Sequence, residues 1–427
     1  MKKKNKKTFN SIKKNIKNYC KKNFKVNFDF QKPSIKLHEP TFGHEEINSA
    51  LDVLLSRNVT MGKKVKRFEN SFAKKFDFKK SISCNSGSSA NLLAIATLSN
   101  LHFKNKLMPG DEVIVSALSW STTIWPLIQY GLIPVVVDIN LKTLNIDENQ
   151  ILDAISDKTK AIMPVHVYGN PCNMESISKI AKQKNLFIIE DCCEAMGAKF
   201  DNKYVGSFGE VGTFSFYFSH HITTLEGGMC VTNKVGLSER MKIIRAHGWL
   251  RDVDNAEKFY DKNLAIDKNF TFVDLGYNLR ITELQGAFGL EQIKKFTGLI
   301  KKREKVFLRW KKILKKYSSY FITQKILEKG KSSYFGFPIT IKEKSPFNVL
   351  QIREYFRING IETRPIICGN ICLQPAFKHY PHRIYKNLSK ATYVMKNSFS
   401  VGCHQNVSKE SQKYFNVILH KFLNKYK

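Results

Sequence analysis

Thr213-Phe-Ser-Phe-Tyr-Phe-Ser-His-His-Ile-Thr-Thr-Leu-Glu-Gly-Gly228 is the stretch from which the fold can be read. Thr213–Phe218, rich in aromatic and hydroxyl residues, reads as a short strand, and Met229–Thr232 reads as another just past the paired glycines. Between them His220 and His221 stand side by side. Neighbouring side chains on an extended chain point to opposite faces, so the pair is awkwardly placed to share a metal ion with Glu226. No metal site is expected.

Upstream, strands and helices alternate. Strand-like runs fall at Glu112–Ser116, Ile133–Asp138, Ala161–Tyr168 and Leu186–Glu190. Helical patterns lie between them at Ser89–Leu98, Thr122–Tyr130, Gln150–Ser156 and Ile177–Lys184. Such spacing predicts βαβ units and a mostly parallel sheet. Runs such as Ile188-Ile189-Glu190-Asp191 fit buried parallel strands, apolar with a polar residue at the carboxyl end, where open α/β sheets bind ligands.

Farther out, Glu45–Leu55 reads as a helix that Asn58–Gly62 breaks, and a long helical pattern runs from Thr282 to about Tyr317. Beyond it Ser333–Ile341, Asn348–Asn359 and Gly360–Pro365 are strand-like and mixed. A basic N-terminal arm over residues 1–37, with a short helix around Phe9–Tyr19, a large domain over 38–295 and a smaller α+β domain over 296–427 are the expected divisions.

Two small motifs carry chemistry. Ser86-Gly87-Ser88-Ser89-Ala90-Asn91 opens an apolar helix. Free N–H groups at such a start suit a phosphate, although the same turn can be a plain helix cap. Asp191, at a strand end, could hold a pyridinium nitrogen protonated and so make the ring an electron sink, or could simply cap a helix.

Composition narrows the class. The 427 residues are 42% apolar, enough for a sizeable core, and contain no run long enough for a membrane helix. Lysines interrupt every apolar stretch before residue 25, which argues against a signal peptide. Nine scattered cysteines without a Cys-x-x-Cys pair look like free thiols in a reducing, cytoplasmic compartment. The net charge is +34, and the eleven lysines of residues 1–25 account for only part of it. No nucleic-acid module accompanies this charge, so neither nucleic acid nor membrane insertion is expected.

The order of motifs resembles the DegT/DnrJ/EryC1/StrS sugar aminotransferase family. Its cofactor motif runs Ser-Phe, three residues, Lys, then a Thr-rich turn and Glu-Gly-Gly; here His220 stands at the lysine position. The other matches, in order, are Gly62 with Phe68-Glu69, the Ser-Gly-Ser-Ser turn, Gly110–Ile114, Pro164–Gly169, Glu190-Asp191 with Ala195 and Gly197, His247-Gly248, and Gly276–Arg280. The resemblance spans about Lys36 to the C-terminus. It implies an α/β, aspartate-aminotransferase-like fold (fold type I) and pyridoxal 5'-phosphate or its amine form (PLP/PMP) as cofactor.

Residue by residue, the resemblance implies that Gly87, Ser88 and Ser89 hold the cofactor phosphate, with Ser215 adding a hydroxyl. Asn278 would reach that phosphate from the other subunit of a homodimer. Trp120 would stack on the ring, Asp191 would pair with its nitrogen, and Glu194 would lie near its hydroxyl. Arg280 and Arg364 are candidates for substrate binding. His220 cannot form the covalent link that a lysine forms, yet it can move protons. The histidine-bearing branch of the family consists of PMP-dependent 3-dehydratases of 4-keto-6-deoxy nucleotide sugars, primed by glutamate.

Within that branch, Ile189–Cys193, Tyr334–Pro338 and the Thr363–Pro375 region look closest to enzymes of CDP-sugar metabolism that hold a [2Fe–2S] cluster. Three of that cluster's cysteines would fall just after His247–Asp252, where this chain has none, and only Cys193 matches a cluster position. No iron–sulfur centre is therefore expected. A sugar 3-dehydratase in deoxysugar or lipopolysaccharide biosynthesis is the first reading. A nucleotide-sugar aminotransferase is the second, and a catalytically silent binding protein on the same fold is the third.

Overall fold

A computed structural model describes residues 3–60, 62–251, 253–254, 256–259, 266–267 and 270–426. The described chain opens with three helices, α1 (Lys3–Asn23), α2 (His44–Ser56) and α3 (Lys63–Lys75), and strand β1 (Lys80–Cys84). The alternation anticipated above follows: α4 (Gly87–Leu98), β2 (Glu112–Ser116), α5 (Ser121–Gln129), β3 (Ile133–Val137), α6 (Glu148–Ala154), β4 (Thr159–Met163), α7 (Met174–Lys184) and β5 (Phe187–Asp191). Two short strands, β6 (Lys199–Phe200) and β7 (Lys203–Tyr204), lead to β8 (Val211–Ser215), β9 (Gly228–Thr232) and α8 (Val235–Arg245). The remainder is α9 (Glu283–Lys315), β10 (Phe321–Thr323), β11 (Gly330–Lys331), β12 (Phe337–Ile341), α10 (Val349–Ile358), β13 (Arg383–Ile384), α11 (Ser389–Asn397), β14 (Ser398–Val401) and α12 (Lys409–Leu423).

The main sheet has the order β1-β9-β8-β5-β4-β2-β3-β13. Strands β8, β5, β4, β2, β3 and β13 run parallel, and β9 is antiparallel to both its neighbours. The sheet is thus mixed and mostly parallel. Every residue of β2, β8 and β9 is buried, as expected for strands covered on both faces. The reversal into β9 brings its first residue against the turn before α4. A Cβ on Gly228 would lie 2.1 Å from the Ser86 carbonyl oxygen, so only glycine permits this approach.

A smaller three-stranded sheet, β10-β12-β14, packs with the second half of α9 and with α10 and α12. Phe307, Trp310, Phe337, Phe356, Phe399 and Phe415 form the centre of this second core. The expected division at residue 295/296 falls inside α9, which runs unbroken for 33 residues from a Thr282–Gln285 capping box. Nor is the C-terminal part self-contained, because β13 adds an edge strand to the main sheet. Ile35, placed in the arm by sequence, pairs with Ile361.

The arm carries a 21-residue helix rather than a short one. It lies along α2, with Cys20 buried and Lys13 Nζ donating to Asp52 at 2.8 Å. Helix α3 is not among the predicted helices, although Phe68-Glu69 within it are among the family matches. Its Phe68 and Phe72 are nonetheless fully buried.

Candidate active site

The carboxyl ends of β5 and β8, the loop after β4 and the starts of α4 and α5 surround a cavity of about 550 Å³. Gly87, Ser88, Trp120, Asp191, Glu194, Ser215, His220 and Arg364 all line it. Residues up to 281 positions apart (Ser86 to Ile367) thus meet where parallel strands end, as the sequence predicts.

One end is a cradle. Ser86 caps α4, its Oγ accepting from the Ser89 N–H at 3.0 Å. Ser88 Oγ donates to Thr122 Oγ1 at 3.0 Å, which ties the starts of α4 and α5 together. Ser89 also hydrogen-bonds through its hydroxyl to Ser86, and it stands behind the cavity wall. A Cβ on Gly87 would come within 2.5 Å of Ser215 Cβ and 3.2 Å of Cys193 Sγ. The bare backbone here leaves room for an anion beside the Ser215 hydroxyl, at a helix N-terminus whose dipole favours negative charge.

Asp191 is buried and fully engaged. Its Oδ2 accepts from Thr123 Oγ1 at 2.7 Å and Asn91 Nδ2 at 3.0 Å, and Oδ1 accepts from the Cys193 N–H at 3.1 Å. Asn91 is in turn oriented by Thr213 Oγ1, which donates to its Oδ1 at 2.6 Å. Three donors and no cation hold an acceptor-only carboxylate, which suits a protonated ring nitrogen in the cavity. Trp120, 57% exposed at the start of α5, offers a free aromatic face on the same cavity. The cradle, the anchored carboxylate and the aromatic wall fit a phosphorylated pyridine.

Glu194 accepts from the Tyr168 N–H at 2.8 Å, with Arg364 Nη2 at 3.9 Å from its other oxygen. Burial pushes its carboxyl up to about 6, against the pull of the Arg364 cation and the Tyr168 N–H. Arg364 lies over the Tyr168 and Phe335 rings, 5.6 Å from each centroid.

His220 follows a turn closed by its own N–H to the Tyr217 carbonyl at 2.9 Å. Its ring packs 5.0 Å from Phe335 and 5.9 Å from Tyr217. Nδ1 is buried without a partner, so Nε2 is the nitrogen that faces the cavity. Burial first, then the Arg364 and Arg303 cations, push the imidazole down to about 3, leaving it neutral. His221 turns the other way, fully buried with Nε2 2.9 Å from the Ser333 carbonyl. The two histidines do not share a ligand. Among the described residues that line the cavity there is no lysine.

Asn278 and Arg280 do not line this cavity. They pair with each other, Arg280 Nε donating to Asn278 Oδ1 at 3.1 Å, and Arg280 Nη2 lies 3.2 Å from His247 Nε2. Residues that sequence reasoning missed are Asn91, Thr123, Phe335 and Arg303. Asn91 closes the quoted Ser-Gly-Ser-Ser stretch and Phe335 lies within the quoted Tyr334–Pro338; Thr123 and Arg303 carry no local signal.

His166, Glu190 and Cys192 bring three ligating atoms within 4.8 Å of one another. Their hydrogen bonds account for them. Glu190 accepts from the N–H groups of Gly206, Phe208 and Gly209. His166 Nδ1 accepts from the Cys172 N–H at 3.0 Å, which puts the proton on Nε2, 3.2 Å from Glu190. This is a structural knot beneath β5.

Comparison with known proteins agrees with this geometry. Residues 40–419 match the DegT/DnrJ/EryC1/StrS aminotransferase family. The chain is 41% identical over 386 residues to a GDP-4-keto-6-deoxy-D-mannose 3-dehydratase of Yersinia pseudotuberculosis, covering 90% of this chain and 97% of that one. That relative is by name a GDP-sugar enzyme, not one of the CDP-sugar branch that Tyr334–Pro338 resembles. A crystal structure of GDP-4-keto-6-deoxymannose-3-dehydratase with a trapped PLP–glutamate geminal diamine superposes with a TM-score of 0.85 at 40% identity, over 90% of this chain and 100% of that chain. Identity to a GDP-perosamine synthase of Escherichia coli O157:H7 is lower, 31% over 335 residues, 78% of this chain and 84% of that one. A fold-type I arrangement, an α4 cradle in its expected place and a match over nearly the whole length lead to one conclusion: the chain belongs to the DegT/DnrJ/EryC1/StrS aminotransferase family.

Proposed function

We propose that this protein is a PLP/PMP-dependent 3-dehydratase of a GDP-linked 4-keto-6-deoxy sugar, with glutamate as amino donor, acting in deoxysugar or lipopolysaccharide biosynthesis. The observation that carries the reading is His220 Nε2 facing a cofactor-shaped cavity whose described lining holds no lysine. When bound, the cofactor supplies an electron sink and the amine that engages the keto carbon.

The residues act around it. Gly87, Ser88 and Ser215 hold the phosphate, with Ser89 bracing the turn behind them through Ser86; Asp191 keeps the ring nitrogen protonated, and Trp120 covers the ring face. Glu194 lies at the ring hydroxyl, and Arg364 meets the glutamate carboxylate or the sugar nucleotide. His220 takes a proton at Nε2 and returns it to the departing C-3 hydroxyl, which leaves as water. The two electrons that replace C3–OH by C3–H come from glutamate, which departs as 2-oxoglutarate and ammonia. No other electron donor is required, in keeping with the missing cluster cysteines.

The chain acts in the cytoplasm as a homodimer, with Asn278 of each protomer completing the phosphate site of its partner and Arg280 beside it at the substrate. Support for this comes from Asn278 and Arg280 lying off their own cavity.

The test is to incubate the purified protein with PLP, glutamate and GDP-4-keto-6-deoxymannose and to identify the sugar by NMR. A 3-deoxy-4-keto sugar with stoichiometric ammonia supports the reading. An amino sugar would overturn it in favour of aminotransfer.

A further inference from the structure

Arg303, near the middle of α9, is 2% exposed and has no carboxylate partner among the described residues. Its Nη1 instead donates to three backbone carbonyls, those of Phe335 at 3.1 Å, Cys403 at 3.2 Å and Tyr334 at 3.4 Å. A buried cation without a counterion is costly, and a chain seldom keeps one for packing alone. Burial pushes the guanidinium down to about 10, still charged at neutral pH.

The segment that Arg303 grips is the one behind the imidazoles. Ser333 offers its carbonyl to His221 Nε2 at 2.9 Å. Tyr334 adopts a left-handed φ of 59°, a conformation that a bulky residue keeps only when its surroundings enforce it. Phe335 then projects its ring 5.0 Å from that of His220, 5.5 Å from that of His221 and 5.6 Å beneath the Arg364 guanidinium. The Phe335 N–H donates to the Tyr168 carbonyl at 3.2 Å. Phe335 thus connects the proposed base to a proposed substrate contact, and its backbone is set by Arg303.

We infer that Arg303 is a positioning residue for the reaction: its grip on the Tyr334 and Phe335 carbonyls seats the Phe335 ring against His220, so that Nε2 is presented to the cavity, while its charge lies behind both imidazoles. The inference rests on the reading of His220 as the proton carrier. The groups that face His220 are Arg364 and Phe335 above it, His221 and Arg303 behind it, Tyr217 in its own turn, and the carboxylates Asp191, Glu194 and Glu226 around the cavity. The two cations oppose protonation of the ring.

The experiment follows the ring itself. Holoenzyme labelled with 13C-histidine is titrated by NMR, the His220 signal being assigned by its loss in His220→Asn. In Arg303→Met the His220 titration should move up, and kcat should fall tenfold or more with the KM for sugar changed less than threefold. Arg303→Lys, which keeps the charge and a donor, should restore the titration and part of kcat. In Phe335→Leu the titration should stay while kcat falls. An unmoved titration in folded Arg303→Met, or a wild-type kcat in Phe335→Leu, overturns the inference. Should Arg303→Met fail to fold, Phe335→Leu decides alone. A wild-type enzyme that dehydrates no sugar would overturn the functional reading instead, and the titration shift would still be measurable.

Discussion

Thr123 Oγ1 donates a 2.7 Å hydrogen bond to Asp191 Oδ2, an oxygen that Asn91 also reaches at 3.0 Å. The carboxylate is thereby fixed and kept acceptor-only. Replacing Thr123 by Val removes one hydrogen bond to a charged group, worth about 1.5–3 kcal/mol. PLP affinity should fall by about tenfold or more, read by fluorescence titration. Asp191→Asn should lower kcat by at least about a hundredfold, because an amide cannot keep the ring nitrogen charged. Wild-type turnover in Asp191→Asn would remove Asp191 from the site.

The cradle makes a steric prediction. In Gly87→Ala the added methyl meets Ser215 Cβ at 2.5 Å, where neither the helix start nor the strand end can retreat easily. Cofactor affinity should drop by more than about tenfold, or 1.4 kcal/mol. Ser215→Ala only deletes a hydroxyl and should cost less, about 0.5–1.5 kcal/mol. If the order of the two variants were reversed, the phosphate would lie elsewhere.

His220 separates the two reactions that the family performs. His220→Asn should bind PLP normally and lose dehydration by about 10²–10⁴-fold, the range of general acid–base contributions. His220→Lys should restore a borohydride-reducible link between protein and cofactor, checked by mass spectrometry after reduction. A reducible link in the wild type would mean that another lysine reaches the cavity.

Glu194 predicts a pH profile. Its carboxyl titrates at about 6, raised mainly by burial, so it is protonated below that value and charged above it. Charged, it would repel the ring oxygen; protonated, it donates a hydrogen bond there. Activity should fall as the pH rises through this group's titration, and Glu194→Gln, a permanent neutral donor, should flatten that limb. A limb that persists in Glu194→Gln belongs to another group.

Stability should depend on the neutral imidazoles. Burial depresses His220 and His404 to about 3 and displaces His221 in the same direction. An unfolded histidine titrates near 6.5. The folded chain therefore refuses protons that the unfolded chain accepts below that value. Their contribution is complete above about pH 6.5 and is lost as the pH falls towards 3. The melting temperature of the cofactor-free protein should decline steadily from pH 7 to pH 5, as scanning calorimetry would record.

Sequence alone determined the alternation of strands and helices, the small-residue start of α4 and the place of Asp191 at a strand end, while the family resemblance put His220 at the lysine position. These are local properties: apolar runs of strand length, small residues at a helix start, one motif with its spacing intact. It placed the long helix within two residues but cut it at 295, because no residue marks where one core hands over to the next. It predicted no helix at α3, although Phe68 within that segment is one of the family matches.

Only the tertiary structure decided which residues surround His220. Phe335, Arg364 and Arg303 come from segments more than 80 residues away, and a hydrogen bond between distant segments leaves no periodic trace in either. The antiparallel insertion of β9, the edge strand β13 and the three donors on Asp191 are likewise set by packing. So is the persistence of the neutral imidazole into acid. A histidine written in a sequence titrates near 6.5, and removal of water together with two neighbouring cations keeps this one neutral well into acid, down to about 3.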